Sequence, residues 1–272
     1  MTSTPESSRP SPPIETAAVV THGRVDVNEA VGRVRAVAER AGVAIVDEPA
    51  DAQLAIALGG DGTILRTLGK LLGSGVPVIG VNFGRVGFLA SIAPERLEDD
   101  LARVFAGGYR ILELPTLAAS LDGETHAAVN DVVATSATLG RMIEVAWDVG
   151  GEDVGTVPCD GMICATPSGS TAYNLSNGGP VLSRGLDAMA ITFIAPHSLH
   201  ARPVVVGRGA EVTVRNITAD VGAAMLVDGH RVADIPPDGR LTIRLGEQRS
   251  LLATLPETTF FGRYRDVFTS TP

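Results

Sequence analysis

The stretch LAIALGGDGTILRTLGK, residues 54–70, constrains the fold more than any other. It opens on an unbroken apolar run, turns on glycines and continues as a helix start. A strand without polar residues has to be buried, and a strand that feeds a helix through a tight turn is a building unit of parallel α/β sheets. The neighbouring segments repeat this alternation. TAAVV (16–20), VAIVD (43–47), QLAIAL (53–58) and VPVIGV (76–81) read as short strands. VNEAVGRVRAVAERAG (27–42) reads as a helix, with Ala30, Val34, Val37 and Ala41 at helical spacing and Gly42 as its stop. PERLEDDLARVFAGG (94–108) reads as another, with Pro94 in its first turn, Leu97, Leu101 and Val104 on one face, and Gly107 at its end. Residues 14–110 are therefore expected to form an α/β domain with a parallel sheet. Ligands on such sheets gather at the carboxyl ends of strands, and Asp61 stands just past one.

After about residue 110 the period changes from helical to alternating. In MIEVAWDVG (142–150), Ile143, Val145, Trp147 and Val149 face one way while Glu144 and Asp148 face the other. AEVTVRN, AAMLVD and RLTIRLG are similar short strands with turns between them. A β-rich, sandwich-like second domain over 111–255 follows. FFGRYRDVF, within 256–272, reads as a helix that packs back on the first domain. MTSTPESSRPSPP, residues 1–13, is rich in Pro, Ser and Thr and is expected to be a disordered tail.

Composition narrows the partners. With 272 residues, 44% of them hydrophobic, the chain can bury a substantial core. A net charge of −9 argues against a nucleic-acid partner, which calls for a basic face. It leaves room for an anionic small molecule, which needs only a local positive field. No apolar run approaches the roughly 18 residues of a membrane helix, so no membrane partner is expected. Cys159 and Cys164 are too few for a disulfide framework or a zinc site, and a reducing cytoplasm is the simplest location. His197 and His200 lack an evident third ligand nearby.

The glycine turn can hold polyphosphate without a lysine. Gly59, Gly60 and Gly62 let backbone N–H groups approach a ligand, and the helix opening near Thr63 adds its positive end. Arg66, one turn on, supplies a fixed positive charge. Neither the Walker loop nor the dinucleotide fingerprint matches. Asp61 between the glycines has two readings at this point. Phosphoryl transfer to an alcohol needs a group to accept its proton, and aspartate is a common choice in kinases. Aspartate is also a favoured helix cap. A second polar cluster, CDGMICATPSGSTAYNLSNGGP (159–180), runs through Ser168, Gly169, Ser170 and Thr171 into a short helix stopped by Gly178, Gly179 and Pro180. In a chain with 4% aromatic residues, Tyr173 stands in this polar segment, where its ring can lie on a nucleobase.

Together these motifs resemble the bacterial NAD kinase family, the ATP- or polyphosphate-dependent kinases of NAD. LGGDGTILR, GVNFGRVGFL, VNDVV, GRMIEV, DGMICATPSGSTAYNLSNGGP, PHSLHARP and VDGH follow one another in the family's order along nearly the whole chain after the tail. GGDG alone is shared with lipid and sugar kinases, whereas TPSGSTAYNLS followed by GGP is highly specific. The resemblance implies a two-domain fold with the site in the crevice between the domains. It implies phosphorylation of the 2′-hydroxyl of the adenosine ribose of NAD, and assembly as a homodimer or homotetramer. Asp61 matches the family's general base, and Gly62 its neighbour in contact with NAD. Arg66 and Arg141 match basic or histidine contacts, Asn130 and Asp131 a polar pair holding base and sugar, and Asp160 a carboxylate facing the nicotinamide half. Thr171, Ala172, Tyr173, Asn174, Leu175 and Ser176 match the segment around the adenine. His230 stands where glutamine is frequent. Gly59, Gly60, Gly62 and Thr63 are expected at the donor phosphates. A divalent metal ion, Mg2+ above all, is the expected cofactor, with no dedicated protein ligands for it. Val157, Pro158 and Cys159 stand where many members carry a basic residue just before the aspartate, so one charge contact is missing. Asn177 replaces a frequent alanine. The readings set against this one are a lipid or sugar kinase with the same glycine turn, and a non-enzymatic NAD sensor.

Overall fold

The computed structural model describes residues 12–22, 27–84 and 87–269. The tail expected over 1–13 lies outside the described residues except for Pro12 and Pro13, which have no regular structure. The chain divides into two compact units. One comprises residues up to Glu113 together with those from Ser250 onward, and the other runs from Leu114 to Arg249.

The first unit alternates as its sequence period requires: β1 (Thr16–Thr21), α1 (Asn28–Ala41), β2 (Ala44–Val46), β3 (Leu54–Gly59), α2 (Asp61–Lys70), β4 (Val78–Asn82) and α3 (Leu97–Phe105). β1 lies between β2 and β3, and β4 lies beside β3, with every pair parallel. β3 is buried along its whole length. Leu54, Ile56 and Leu58 pack with Val34 and Val37 of α1 and Leu97, Leu101 and Val104 of α3. On the other face Ile64 of α2 lies against Gly80, where a Cβ has no room. α1 ends at Gly42 in a left-handed turn, φ 70°, as glycine permits. Its buried stripe contains Ala38, while Ala41, read as part of that stripe, is exposed. At 100° per residue Ala41 lies about 20° from Ala30 and so keeps the direction of the stripe, but it is the last residue of α1, where the helix ends in solvent.

The second unit is antiparallel. Its strands are β5 (Arg110–Leu121), β6 (Glu124–Ala128), β7 (Asp131–Ser136), β8 (Ile143–Val149), β9 (Glu152–Cys159), β10 (Gly161–Ala165), β11 (Ala188–Ile194), β12 (Val204–Gly207), β13 (Glu211–Asn216), β14 (Ala223–Val227), β15 (His230–Ile235) and β16 (Arg240–Thr254). A short helix, α4 (Tyr173–Ser176), precedes β11. One sheet runs β12-β11-β10-β7-β14-β15, and the other layer contains β16-β13-β8-β9 with β5 and β6. The layers share one core, in which Ile143, Val145 and Trp147 of β8 meet Met162, Met189, Phe193 and Met225. Trp147 meets Phe193 edge-on at 5.7 Å between ring centroids. This is the expected sandwich. Cys159 and Cys164 are free thiols inside it; burial pushes them up to about 11 and about 12.

The expected boundary at residue 255 falls just past the end of a strand that both units share. β16 serves both units: Arg240 to Arg244 pair antiparallel with β13, and Leu252 and Ala253 pair parallel with β4. A long strand that changes partner midway carries no turn signal at the change. The last helix, α5 (Phe260–Phe268), follows in the first unit, and the Thr259 hydroxyl caps it by accepting from the Gly262 N–H at 3.1 Å.

Candidate active site

The first group of expected site residues sits where β3 gives way to α2. Gly59 pairs with Asn82, so the glycine turn opens at the carboxyl ends of two adjacent parallel strands. The glycines serve different ends. A Cβ on Gly59 would strike the Thr63 side chain, whereas Gly60 (φ −86°) and Gly62 have open space where a Cβ would stand. Of the three only Gly59 takes a positive φ, 157°, and Gly62 is already the second residue of the helix. Thr63 is buried and its N–H donates to the Gly60 carbonyl at 2.9 Å. The N–H groups of Asp61 and Gly62 open the helix and are the ones an α-helix leaves unpaired. Arg66 is half-buried and makes no hydrogen bond or ion pair among the described residues.

Asp61 does not cap its helix. Gly60 occupies the capping position, and the Asp61 carboxylate turns to the segment after β4, accepting from the N–H groups of Phe88 at 2.7 Å and Leu89 at 3.2 Å. Gly87 has to be glycine, since a Cβ there would fall on that carboxylate. Phe88 in turn packs against Phe260 and Phe268 of α5, with ring centroids 6.1 and 5.7 Å apart. Arg263 of α5 donates to the Ala90 carbonyl at 2.6 Å. The last helix thus holds the loop that holds Asp61. Beside the turn, with Gly84 against Gly60, lies a cleft of about 490 Å³ lined by Asn82, Phe83, Gly84, Ser91 and Arg263 among others. The Ser91 hydroxyl is buried there without a hydrogen-bond partner among the described residues.

The second group gathers at one end of a sheet in the second unit. Asp131 begins β7 opposite Ala165, the end of β10, while Val227, the end of β14, pairs with Val132. Asn130, Asp131, Thr166, Asp228 and His230 therefore converge. Asp228 and Gly229 form the two-residue turn of the β14–β15 hairpin, both with positive φ (48° and 80°), as a type I′ turn demands. The Asp228 carboxylate reaches back across the sheet to accept from the N–H groups of Val129 at 2.9 Å, Asn130 at 2.7 Å and Asp131 at 3.2 Å. Asn130 and Asp131 are buried, and the Asn130 Oδ1 and the Ser168 hydroxyl have no partner among the described residues. Burial first, and then the neighbouring Asp228 charge, push the Asp131 carboxyl up to about 7. Burial also raises Asp228, against the pull of its three N–H donors and of exposed His230.

The TAYNLS segment divides between surface and interior. Tyr173 is 45% exposed and opens α4, and Ser176 is exposed. Thr171 and Leu175 are half-buried, and the Thr171 hydroxyl donates to the Ser168 carbonyl at 3.1 Å. Ala172 is the N-cap of α4. Asn174 is wholly buried, with its amide donating to the carbonyls of Ser170 and Pro180 and its Oδ1 accepting from the Thr192 hydroxyl. The polar atoms of its side chain are thus engaged inside the protein. Asn177 donates to the Tyr173 carbonyl, a local effect at the helix end. Asp160 and Arg141 stand apart from Asn130 and Asp131. Asp160 lies by the far end of β7, its carbonyl accepting from the Ser136 N–H, and β7 pairs Thr135 with Gly161. Thr135 lies four steps along the strand from Asp131, about 13 Å at a rise of about 3.3 Å per residue. Arg141 is exposed and ion-paired with Asp220 at 2.9 Å.

Sequence reasoning passed over Gly87, Phe88, Leu89, Ser168 and Asp228 as site residues. GVNFGRVGFL and VDGH contain four of these five, but neither spacing nor period says which backbone a side chain will reach. Among the described residues no three His, Cys, Asp or Glu side chains gather as metal ligands, and no helix is long and apolar enough to cross a membrane.

A glycine turn opening a helix at the end of a parallel sheet, with a carboxylate locked beside it, defines a phosphotransferase of the GGDG class. The comparisons with known proteins name the member. Residues 19–109 match the ATP-NAD kinase N-terminal domain and residues 129–255 the ATP-NAD kinase C-terminal domain. An NAD kinase of Heliobacterium modesticaldum is 41% identical over 218 residues, covering 78% of this chain and 77% of that protein. One from Leifsonia xyli subsp. xyli is 37% identical over 227 residues, covering 81% and 75%. Among solved structures, an NAD kinase from Archaeoglobus fulgidus in complex with ATP superimposes with a TM-score of 0.78 at 30% identity, over 93% of this chain and 97% of that one. A yeast NADH kinase complexed with NADH shares the fold, with a TM-score of 0.83 at 20% identity over 96% and 89%. The chain belongs to the NAD kinase family, and its activity is phosphorylation of NAD. Lipid or sugar kinase and non-enzymatic sensor are set aside by matches that span both units.

Proposed function

We propose that the glycine turn binds the phosphates of ATP, that the second unit's strand-end cluster holds NAD, and that Asp61 is the general base for the 2′-hydroxyl of the adenosine ribose. The observation that carries this reading is the Asp61 carboxylate, fixed by two backbone N–H groups at the mouth of a lysine-free glycine turn. Uncapped N–H groups of α2 and the charge of Arg66 face the donor's anionic oxygens. A carboxylate beside them repels phosphate, so its use lies with the acceptor: it orients the hydroxyl and takes its proton as the phosphoryl group arrives. Gly62 and Arg66 then lie within reach of NAD as well as of the donor.

For NAD, Asn130 and Asp131 offer hydrogen-bonding groups that the protein itself leaves unmet, and exposed Tyr173 offers a ring for the adenine. Thr171, Ala172, Leu175 and Ser176 frame that ring, and His230 adds a hydrogen bond with a pH-dependent charge. An extended dinucleotide is long enough to run from Asn130 toward Asp160 and Arg141. Inorganic polyphosphate presents the same oxygens to the turn as ATP and is the second donor proposed.

Mg2+ takes most of its ligands from phosphates and water and needs only one or two carboxylates, so the residues present fit a metal ion carried in with the donor. Such an ion neutralises charge on the transferring group when bound. Two buried free thiols and an acidic surface suit a reducing cytoplasm. Homodimer or homotetramer formation is proposed as well; exposed Val204 and Val205 on edge strand β12 suit such contacts.

The test incubates the protein with NAD and either ATP or polyphosphate, with Mg2+ or with excess chelator, and assays NADP. NADP is expected with Mg2+ and not with chelator. Undiminished turnover in chelator removes the metal from the reading, and product phosphorylated elsewhere than the 2′ position removes the assignment of Asp61 to that hydroxyl.

A further inference from the structure

Every backbone polar group of the segment Val129–Asp131 is paired. Asp228 takes all three of its N–H groups. Thr166 takes two carbonyls, that of Val129 through its hydroxyl at 2.7 Å and that of Asn130 through its N–H at 2.9 Å. The Asp131 carbonyl accepts from the Asp228 N–H at 3.0 Å. Gly169 closes over Asn130 so tightly that a Cβ would fall on its carbonyl. The side chains are treated oppositely: the Asn130 Oδ1 has no partner, and the Asp131 carboxyl has none among the described residues. Buried polar groups are ordinarily paired, so a segment with a saturated backbone and unsatisfied side chains is arranged for a ligand.

Asp228 is costly for a mere turn residue. Glycine or asparagine occupies a left-handed turn position with less strain, and aspartate here adds a half-buried carboxylate next to buried Asp131. Its reach, 97 to 99 residues back along the chain, is what repays that cost.

We propose that Asp228 is a positioning residue: by clamping the three successive N–H groups of residues 129–131 it sets Asn130 and Asp131 in the orientation that binds NAD. This rests on the reading that Asn130 and Asp131 hold NAD. It makes the hairpin turn between β14 and β15 part of NAD recognition, through a residue that need not touch the dinucleotide.

Asp228→Asn and Asp228→Gly both suit the left-handed turn and both break the clamp. Asparagine keeps one acceptor oxygen but loses the charge and sets its NH2 against the N–H groups on the other side, and glycine offers nothing. In each, the KM for NAD should rise by at least about tenfold, the loss expected for charge-assisted hydrogen bonds to buried groups. The KM for ATP and the turnover at saturating NAD should move by no more than about twofold, since only NAD binding is disturbed. Asn130→Ala is measured alongside. Added to Asp228→Asn, it should raise the KM for NAD by less than the product of the single effects, because the clamp acts through Asn130. Hydrogen exchange of the wild-type protein should show the amides of residues 129–131 protected without NAD, and that measurement survives any failure of the variants to fold. An unchanged NAD KM in both Asp228 variants, strictly multiplicative effects, or fast exchange at 129–131 each overturns the clamp. If Asn130→Ala leaves NAD binding untouched, the underlying reading of Asn130 fails, and the clamp proposal falls with it whatever Asp228 does.

Discussion

Asp61 and Asp131 are both acids at strand ends, one in each unit, and their surroundings are opposite. Asp61 is partly open, with both oxygens taken by backbone N–H groups at 2.7 and 3.2 Å. Asp131 is buried, with no hydrogen bond to its carboxyl among the described residues and a second carboxylate nearby. The first site has its geometry complete before any ligand arrives, as a group that performs a chemical step requires. The second has polar needs that a bound dinucleotide would meet. A finished carboxylate and an unfinished one call for different variants, and the contrast can be broken at either end.

The largest effect is expected from Asp61→Asn. The amide keeps the shape and one of the two loop hydrogen bonds, so the fold survives at a cost of about 1–3 kcal/mol. It cannot take the ribose proton, and turnover should drop by at least about a hundredfold with NAD affinity unchanged. Initial rates and NAD titration on one preparation decide it. A drop below about tenfold with intact binding would reduce Asp61 to an anchor for the 87–89 segment.

Gly87→Ala sharpens the same point without touching the acid. The new methyl displaces the carboxylate from its two N–H donors. A misplacement of about 1 Å costs catalysis up to about a hundredfold, so turnover should fall between about tenfold and a hundredfold while the NAD KM holds. Wild-type turnover in this variant would show that the loop's grip on Asp61 has no bearing on the chemistry.

On the second unit, Tyr173→Ala removes a ring that is 45% exposed and supports little of the core. Stacking is worth about 1–3 kcal/mol per base, so the NAD KM should rise about tenfold or more and the donor KM should stay put. If the donor KM rises instead, the two substrates are exchanged between the units.

The smallest effect concerns stability and follows from the sign of one shift. The Asp131 carboxyl is held near 7 in the fold against 3.8 unfolded. A raised acid stabilises fully below the unfolded value and loses that contribution as pH rises through the folded one. Asp131→Asn should therefore melt like wild type near pH 4 and above it near pH 8, by at most about 4 kcal/mol in stability. Thermal melts across that window test it, and a gap independent of pH would mean that Asp131 is not the strained group of the cluster.

What could be read in advance differs between the units for the same reason that their sites differ. The glycine turn, Gly42 as a helix stop and the buried stripe of α3 are local patterns, and local sterics fix them. Asp61 was legible as a chemical residue, yet its cap reading failed, because its partners stand 27 and 28 residues away. VDGH was legible only as one of the family's motifs, and the carboxylate in it works on residues nearly a hundred positions earlier. In TAYNLS, a helix of four residues is too short for periodicity to show that Asn174 points inward and Tyr173 outward.

By itself the sequence determined the succession of elements, the parallel and antiparallel halves, and the family, because period, turn chemistry and ordered motifs are properties of neighbouring residues. Only the tertiary structure decided that Phe88 and Leu89 hold Asp61, that β16 serves two units and that Asp228 ties down Asn130 and Asp131. A hydrogen bond depends on distance and angle in space, and no spacing along the chain encodes which distant N–H a carboxylate will meet once the strands have paired.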